Sequence, residues 1–239
     1  MELAEYRRMA EVEDTHWWYR STRQLLQQLL GPQLRDGGRF LDLGAGTGAT
    51  GAWLADHGRL VAADFEPLAL TLNREHHPSA DVVACDARRL PFADASFDAV
   101  LCVTVLCHRS IESPVDAVGE MVRVLRPGGL LCLWEPGVRR LRRAHDRVTH
   151  TGRRFSRRDL ADLLVANGVD VIRSTGAYSF LVPPAAAKMV VERGRTSSDL
   201  DRNGGGLGGV LSAVAGAERR LIGRVDLPVG LSVVAVGRR

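Results

Sequence analysis

Apolar residues along the chain fall into short continuous runs, parted by polar turns rich in glycine. The runs at 39–43, 59–63, 81–84, 97–103, 130–135, 169–178 and 230–237 have the length and composition of buried strands. Between them a helical period of about 3.6 residues predicts helices over 21–30, 47–56, about 67–75 and 114–125. Gly31-Pro32 stops the first of these, and "RPGG" stops the last. Another helix is marked at both ends. Ser156 and Asp159 form an S-x-x-D capping pattern, Phe155 is placed to staple against Leu160, and Asn167-Gly168 closes the C-terminus. Residues 180–226 break the rhythm, with two amphipathic helices flanking "NGGGLGG" (203–209), the expected mobile part.

Strands that alternate with helices imply an α/β fold, a doubly wound, mostly parallel sheet covered on both faces. The boundaries expected from this order are a helical N-terminal lid segment at 1–35 and a Rossmann-like core at 36–179. A cap insert follows at 180–226, and the final strand of the core lies at 227–239. Ligands of such sheets bind beyond the C-terminal strand ends. The stretch "FLDLGAGTGATG" (40–51) places a glycine-rich turn at one of those ends.

Gly46-x-Gly48-x-x-Gly51 fits the dinucleotide pattern, with a strand before it and Asp64 at the end of the next strand. The charge argues for another nucleotide. A pyrophosphate wants a bare helix N-terminus, whereas Asp42 precedes the glycines and suits a cation, such as a ligand carrying an ammonium and a sulfonium. The alternative is that Asp42 pins the turn through its backbone. Asp64 can accept both hydroxyls of a ribose. Asp86 can accept from an exocyclic adenine amine while the Ala87 N–H donates to a ring nitrogen. Three carboxylates at successive strand ends would then follow one adenosyl ligand; three unrelated surface acids are the bland alternative.

Composition narrows the function further. Hydrophobic residues make up 45%, charged residues 25% and aromatic residues 5%, a globular balance with little aromatic surface for stacking single-stranded nucleic acid. No apolar run is long enough for a membrane span and the N-terminus is too polar for a secretion signal, so a cytoplasmic location is expected. The four cysteines form no C-x-x-C pair and read as buried thiols. No metal-ligand spacing is evident, His76-His77 standing on a polar helix end without partners. Lys188 is the only lysine, which disfavours Schiff-base and P-loop chemistry. The net charge of +4 is uneven: nine arginines and one acid lie in 138–158, a solvated segment or an anion-binding face.

The series "FLDLGAGTG", "AADFEP", "CDARRLPFADASFDAVLC" and "EMVRVLRPGGLLCLWEP" resembles the successive motifs of class I S-adenosylmethionine-dependent methyltransferases. The likeness is nearest to the small-molecule type, and "EDTHWWYRSTR" looks like the N-terminal segment of one bacterial subgroup. The resemblance implies a seven-stranded sheet whose last strand is antiparallel. It implies that the loop from Gly44 through Ala45 and Gly46 to Gly48 surrounds the methionine part. Asp64 would hold the ribose, Asp86 and Ala87 the adenine, and the chain from Cys102 through Val103 to Thr104 the amino group. Phe65 would stack on the adenine with Leu90 opposite, core packing being the alternative for Leu90. Relatives often carry "LEH" after the fourth strand; here Leu106-Cys107-His108 keeps the histidine and lacks the glutamate.

Methyl transfer from a sulfonium needs alignment and exclusion of water more than covalent help. A base is useful for a hydroxyl or a protonated amine. His150 and His108 are the base candidates, with Asp146 placed to orient His150; His145 stands in the same segment. Tyr19 and Arg20 of "HWWYR" are candidates to reach the cofactor's carboxylate, while Trp17 and Trp18 either join them or anchor a helix to the core. The expected activity is transfer of a methyl group from S-adenosylmethionine to a small organic acceptor, leaving S-adenosylhomocysteine, with no nucleic-acid partner. Two alternatives stand beside it: a protein that keeps the cofactor site without methylating, such as a regulatory subunit or a cyclase, and an NAD(P)-dependent oxidoreductase.

Overall fold

The computed structural model describes residues 1–141, 145–191 and 205–239, the side chains of 190, 191 and 205–207 excepted. Its strands are β1 (Gly38–Leu43), β2 (Gly58–Asp64), β3 (Asp81–Ala84), β4 (Phe97–Val103), β5 (Leu125–Pro136), β6 (Asp170–Ala177) and β7 (Ser232–Arg238). They form one sheet in the order β3-β2-β1-β4-β5-β7-β6. β1 to β5 pair in parallel, and β7 lies antiparallel between β5 and β6, with Trp134 opposite Val234 and Val234 opposite Thr175. The last strand is therefore the antiparallel one, in the arrangement that the motif resemblance implies.

The helices are α1 (Leu3–Val12), α2 (Trp17–Leu30), α3 (Pro67–His76), α4 (Pro114–Val124), α5 (His145–Val148), α6 (Arg157–Ala166), α7 (Val182–Val191) and α8 (Gly205–Ile222). Strand side chains alternate between two cores because successive residues point to opposite faces. Leu41, Leu43, Val100, Leu131 and Leu133 pack with Met121 of α4 and Leu160 of α6. Phe40, Leu60, Leu101 and the fully buried Trp134 pack with Leu26 of α2 and Ile222 of α8. α6 carries the capping box, with Ser156 and Asp159 bonding to each other's backbone N–H, and Gly168 follows it with a φ of 71°.

Three boundaries differ from the sequence pattern. The helix expected at 47–56 is a turn at 47–51 followed by a short 3-10 segment, Ala52–Asp56. Gly46 and Gly48 hold left-handed φ values of 55° and 103°, so an α-helix cannot propagate through them. β5 begins at Leu125 because "LRPGG" continues into the sheet through a register shift. Gly205 to Gly209 belong to α8 rather than to a mobile loop; the rest of "NGGGLGG" lies outside the described residues.

Candidate cofactor site and acceptor face

The glycine-rich turn closes on itself and on β2. The N–H groups of Gly44 and Ala45 both donate to Ala63 O, at 2.7 and 3.0 Å, and Gly48 N–H donates to Ala45 O at 2.9 Å. Gly46 N–H donates to Asp64 Oδ2 at 2.9 Å. Further on, Gly51 and Ala52 both donate to Gly48 O. The N–H groups of Gly44, Ala45, Gly46, Gly48, Gly51 and Ala52 are thus used internally, and the loop runs into a short 3-10 segment rather than a regular helix N-terminus. Gly44 has no room for a side chain: a Cβ there would lie 2.1 Å from Val105 Cγ2.

Asp42 lies behind the loop at 1% exposure. Its carboxylate occupies the space beside Gly51, and its Oδ1 has no hydrogen-bond partner among the described residues. Burial, and then the nearby Asp64 charge, push its pKa up to about 7. Asp64 ends β2 with each oxygen accepting one backbone N–H, Oδ2 from Gly46 and Oδ1 from Glu66 at 2.9 Å. A carboxylate offers about four lone-pair sites, more than these backbone bonds take up. Burial is the largest influence on its pKa, which is raised, and the backbone bonds oppose it. Phe65 beside it is 74% exposed, a large aromatic face left open at a strand end.

Asp86 is held by Arg88, whose Nη2 lies 2.6 Å from Oδ2, and this hydrogen bond keeps its pKa below the usual carboxylate range. Ala87 and Leu90 are buried in the core on the α4 side, so Leu90 takes the core-packing alternative. Cys102 is fully buried and Val103 nearly so, while Thr104 is exposed with a left-handed φ of 57°. Such a backbone in a β-branched residue costs on the order of 1–3 kcal/mol and persists where its surroundings enforce it.

The N-terminal segment packs over this loop. Met9 Cε lies 3.5 Å from the position of a Cβ on Gly46, and Tyr19 packs with Val12 and Ala49. Glu13 is fully buried, accepts from the Thr47 hydroxyl, and lies 3.5 Å from both His76 Nδ1 and His77 Nε2. The two histidines therefore have a partner, which sequence reading did not find because Glu13 is 63 residues away (76 − 13). Tyr6 is buried as well, and burial, with the Asp64 and Glu66 charges, raises its pKa. Trp17 meets Tyr178 edge-on at 5.6 Å and both tryptophans pack against the α2-side core, so they anchor α2. Arg20 is exposed.

Past the end of β4, His108 and His150 lie with ring centroids 5.7 Å apart, and the amino group of Met1 is 3.3 Å from His108 Nε2 and 3.4 Å from His150 Nδ1. Burial, then the amino terminus, His150 and Arg109, bring the His108 pKa down to about 4. The pKa of His150 is also lowered, first by burial and then by the same amino terminus and Arg109. Asp146 does not take the orienting role expected of it. Its two oxygens meet Arg154, at 2.5 and 3.3 Å, and Arg154 also donates to Gly137 O at 3.0 Å. Part of the arginine-rich segment is thus a buried ion pair tying α5 to the end of β5, while Arg139 pairs with Asp159 at the surface.

A methyltransferase-domain family matches residues 41–133, from β1 to β5. A demethylmenaquinone methyltransferase of Beutenbergia cavernae is 46% identical over 102 residues, 42% of this chain and 42% of that protein. The match thus spans less than half the length of that curated relative. Among solved structures, a SAM-dependent methyltransferase from Aquifex aeolicus superposes with a TM-score of 0.57 at 16% identity, covering 74% of this chain and 93% of the other. The [4+2]-cyclase SpnF superposes with a TM-score of 0.60 at 22% identity, covering 92% and 80%. Identities this low speak for the fold alone. In its motif order, its sheet and this match, the chain is similar over residues 41–133 to methyltransferase domains.

Proposed function

We propose that this protein transfers a methyl group from S-adenosylmethionine to a small organic acceptor. The observation that carries the reading is the chemistry of the glycine loop. Six of its N–H groups bond within the chain, a buried carboxylate with an unpartnered oxygen lies behind it, and the Asp64 carboxylate stands at its edge. This set suits a cationic adenosyl ligand and gives a phosphate little to hold. Asp64 would hold the ribose hydroxyls, Phe65 would cover the adenine, and Asp86 with Ala87 N–H would read its edge. Gly44 to Gly48 and Thr104 would enclose the methionine part, with Tyr19 and Arg20 closing from α2. The bound cofactor supplies an electrophilic methyl on a sulfonium; the protein aligns the acceptor and keeps water out.

His150 and His108 are proposed to take the acceptor's proton. Both are kept neutral by burial and neighbouring positive charge, the state a base requires. The curated relatives are named for demethylmenaquinone, so naphthoquinol-type acceptors are the first to assay with methyl-labelled cofactor. Binding is tested by thermal shift: S-adenosylhomocysteine is expected to raise the melting temperature, NADH is not, and Asp64→Asn is expected to abolish the shift. Stabilisation by NADH alone refutes the reading. Labelled cofactor that binds but never yields a methylated product from any acceptor or cell extract would favour a non-methylating role.

A further inference from the structure

The turn that leaves β4 is gripped by the end of β5. Glu135 is fully buried, and its Oε1 accepts the N–H groups of Val105 at 3.1 Å and Leu106 at 2.8 Å. Its Oε2 accepts Cys107 N–H at 3.0 Å, and the neighbouring Trp134 O accepts Thr104 N–H at 2.7 Å. Successive N–H groups that converge in this way form a concavity that binds anions, and here the anion comes from the chain itself.

Both sides of the transfer site hang on this turn. At its start Thr104 is fixed in its left-handed conformation. Next, Val105 presses on Gly44 of the glycine loop, where its Cγ2 fills the space of a Cβ. At its end His108 N–H donates to Val105 O, and His108 is bridged to Thr151 next to His150. Nothing in the reading of the chain as a sequence singled out Glu135.

We propose that Glu135 is a positioning residue, whose ionised carboxylate sets the turn from Thr104 to His108 against the glycine loop and so holds the cofactor pocket at its working width. For the ligand, the proposal rests on the methyltransferase reading; for the grip on the turn it does not. Glu135→Gln keeps the shape but replaces one acceptor oxygen by an amide NH2, which leaves a buried backbone donor unmatched. Burial outweighs the bonds from the turn and pushes the Glu135 pKa up to about 7, so the wild-type carboxyl becomes neutral, like glutamine, in mild acid. The groups around it are Cys107 on the turn, Cys102 on β4 and Cys132 on β5, with Asp42 beyond on β1; His108, His150, Arg109 and the Met1 amine stand on the acceptor side. All of these are shared by wild type and variant, so the difference between the two isolates Glu135.

The test is calorimetric titration of S-adenosylhomocysteine into the full chain, wild type and E135Q, from pH 5.5 to 8.5, with hydrogen exchange of the ligand-free proteins beside it. The expected result is about tenfold weaker binding by E135Q at pH 8 that converges on wild type near pH 5.5, with faster exchange at residues 105–107 of the variant at pH 8. An affinity ratio that is constant with pH, or unchanged exchange at 105–107, overturns the proposal. If wild type binds no S-adenosylhomocysteine at any pH, the methyltransferase reading falls with the pocket-width claim, and exchange alone decides the grip on the turn. Should E135Q fail to fold, wild-type exchange decides: protection at 105–107, corrected for intrinsic chemistry, must fall as pH drops below about 7, and constant protection refutes the proposal.

Discussion

Gly51 is the third glycine of the loop motif, and its backbone gives no reason for it, since φ is −111° and ψ is −14°, values any residue adopts. The reason is the carboxylate behind it. A Cβ on Gly51 would stand 2.0 Å from Asp42 Oδ2 and 2.3 Å from its Cγ, far inside van der Waals contact. Asp42 is on a central strand at 1% exposure and has little space to yield. Gly51→Ala is therefore expected to destabilise by about 1–3 kcal/mol, the usual cost of overpacking. For a chain of this size that lowers the melting temperature by roughly 2–12 °C. Asp42→Ala removes the obstacle, so the double variant should recover most of the loss, with a coupling energy of about 1–3 kcal/mol. Urea unfolding of the four proteins at one pH measures the cycle. If Gly51→Ala costs the same with and without the Asp42 carboxylate, the steric argument is wrong and the glycine answers to something else.

Asp42 also predicts a pH dependence. Its folded pKa is raised from 3.8 to about 7, so its contribution to stability is fully present below about pH 4 and is lost as pH rises through 7. Asp42→Asn does not titrate, and its stability relative to wild type should improve by about 4 kcal/mol between pH 4 and 7.5, at 1.36 kcal/mol per unit. Glu135 titrates alike in both proteins and cancels; parallel stability curves from urea unfolding would show that Asp42 is not held neutral. For the acceptor side, His150→Ala is expected to lower turnover by about 10²-fold or more while cofactor affinity stays within about twofold. Unchanged steady-state turnover from pH 6 to 9 removes His150 from the proton path.

The fold was written in local terms. Seven apolar runs, the S-x-x-D cap at Ser156 and the glycine turns mark the elements within a few residues, because burial on both faces demands continuous apolar strands and helix ends demand caps. The motif order placed all three acids at strand ends: Asp42 is the penultimate residue of β1, Asp64 the last of β2, and Asp86 lies two residues past β3. What the sequence alone did not carry depends on residues far apart in it. The missing helix at 47–56 follows from glycines turned left-handed and a loop bonded back to β2. Asp146 faces Arg154 rather than His150 because the segment ending β5 returns Arg154 to it through Gly137 O. Glu13 meets His76 and His77 only once α1 folds across the loop, and Glu135 meets the N–H groups of 105–107 only once β5 lies beside β4. Periodicity reports which face a residue takes, whereas the partner of a buried charge is set by which strands become neighbours, and tertiary structure alone decides that.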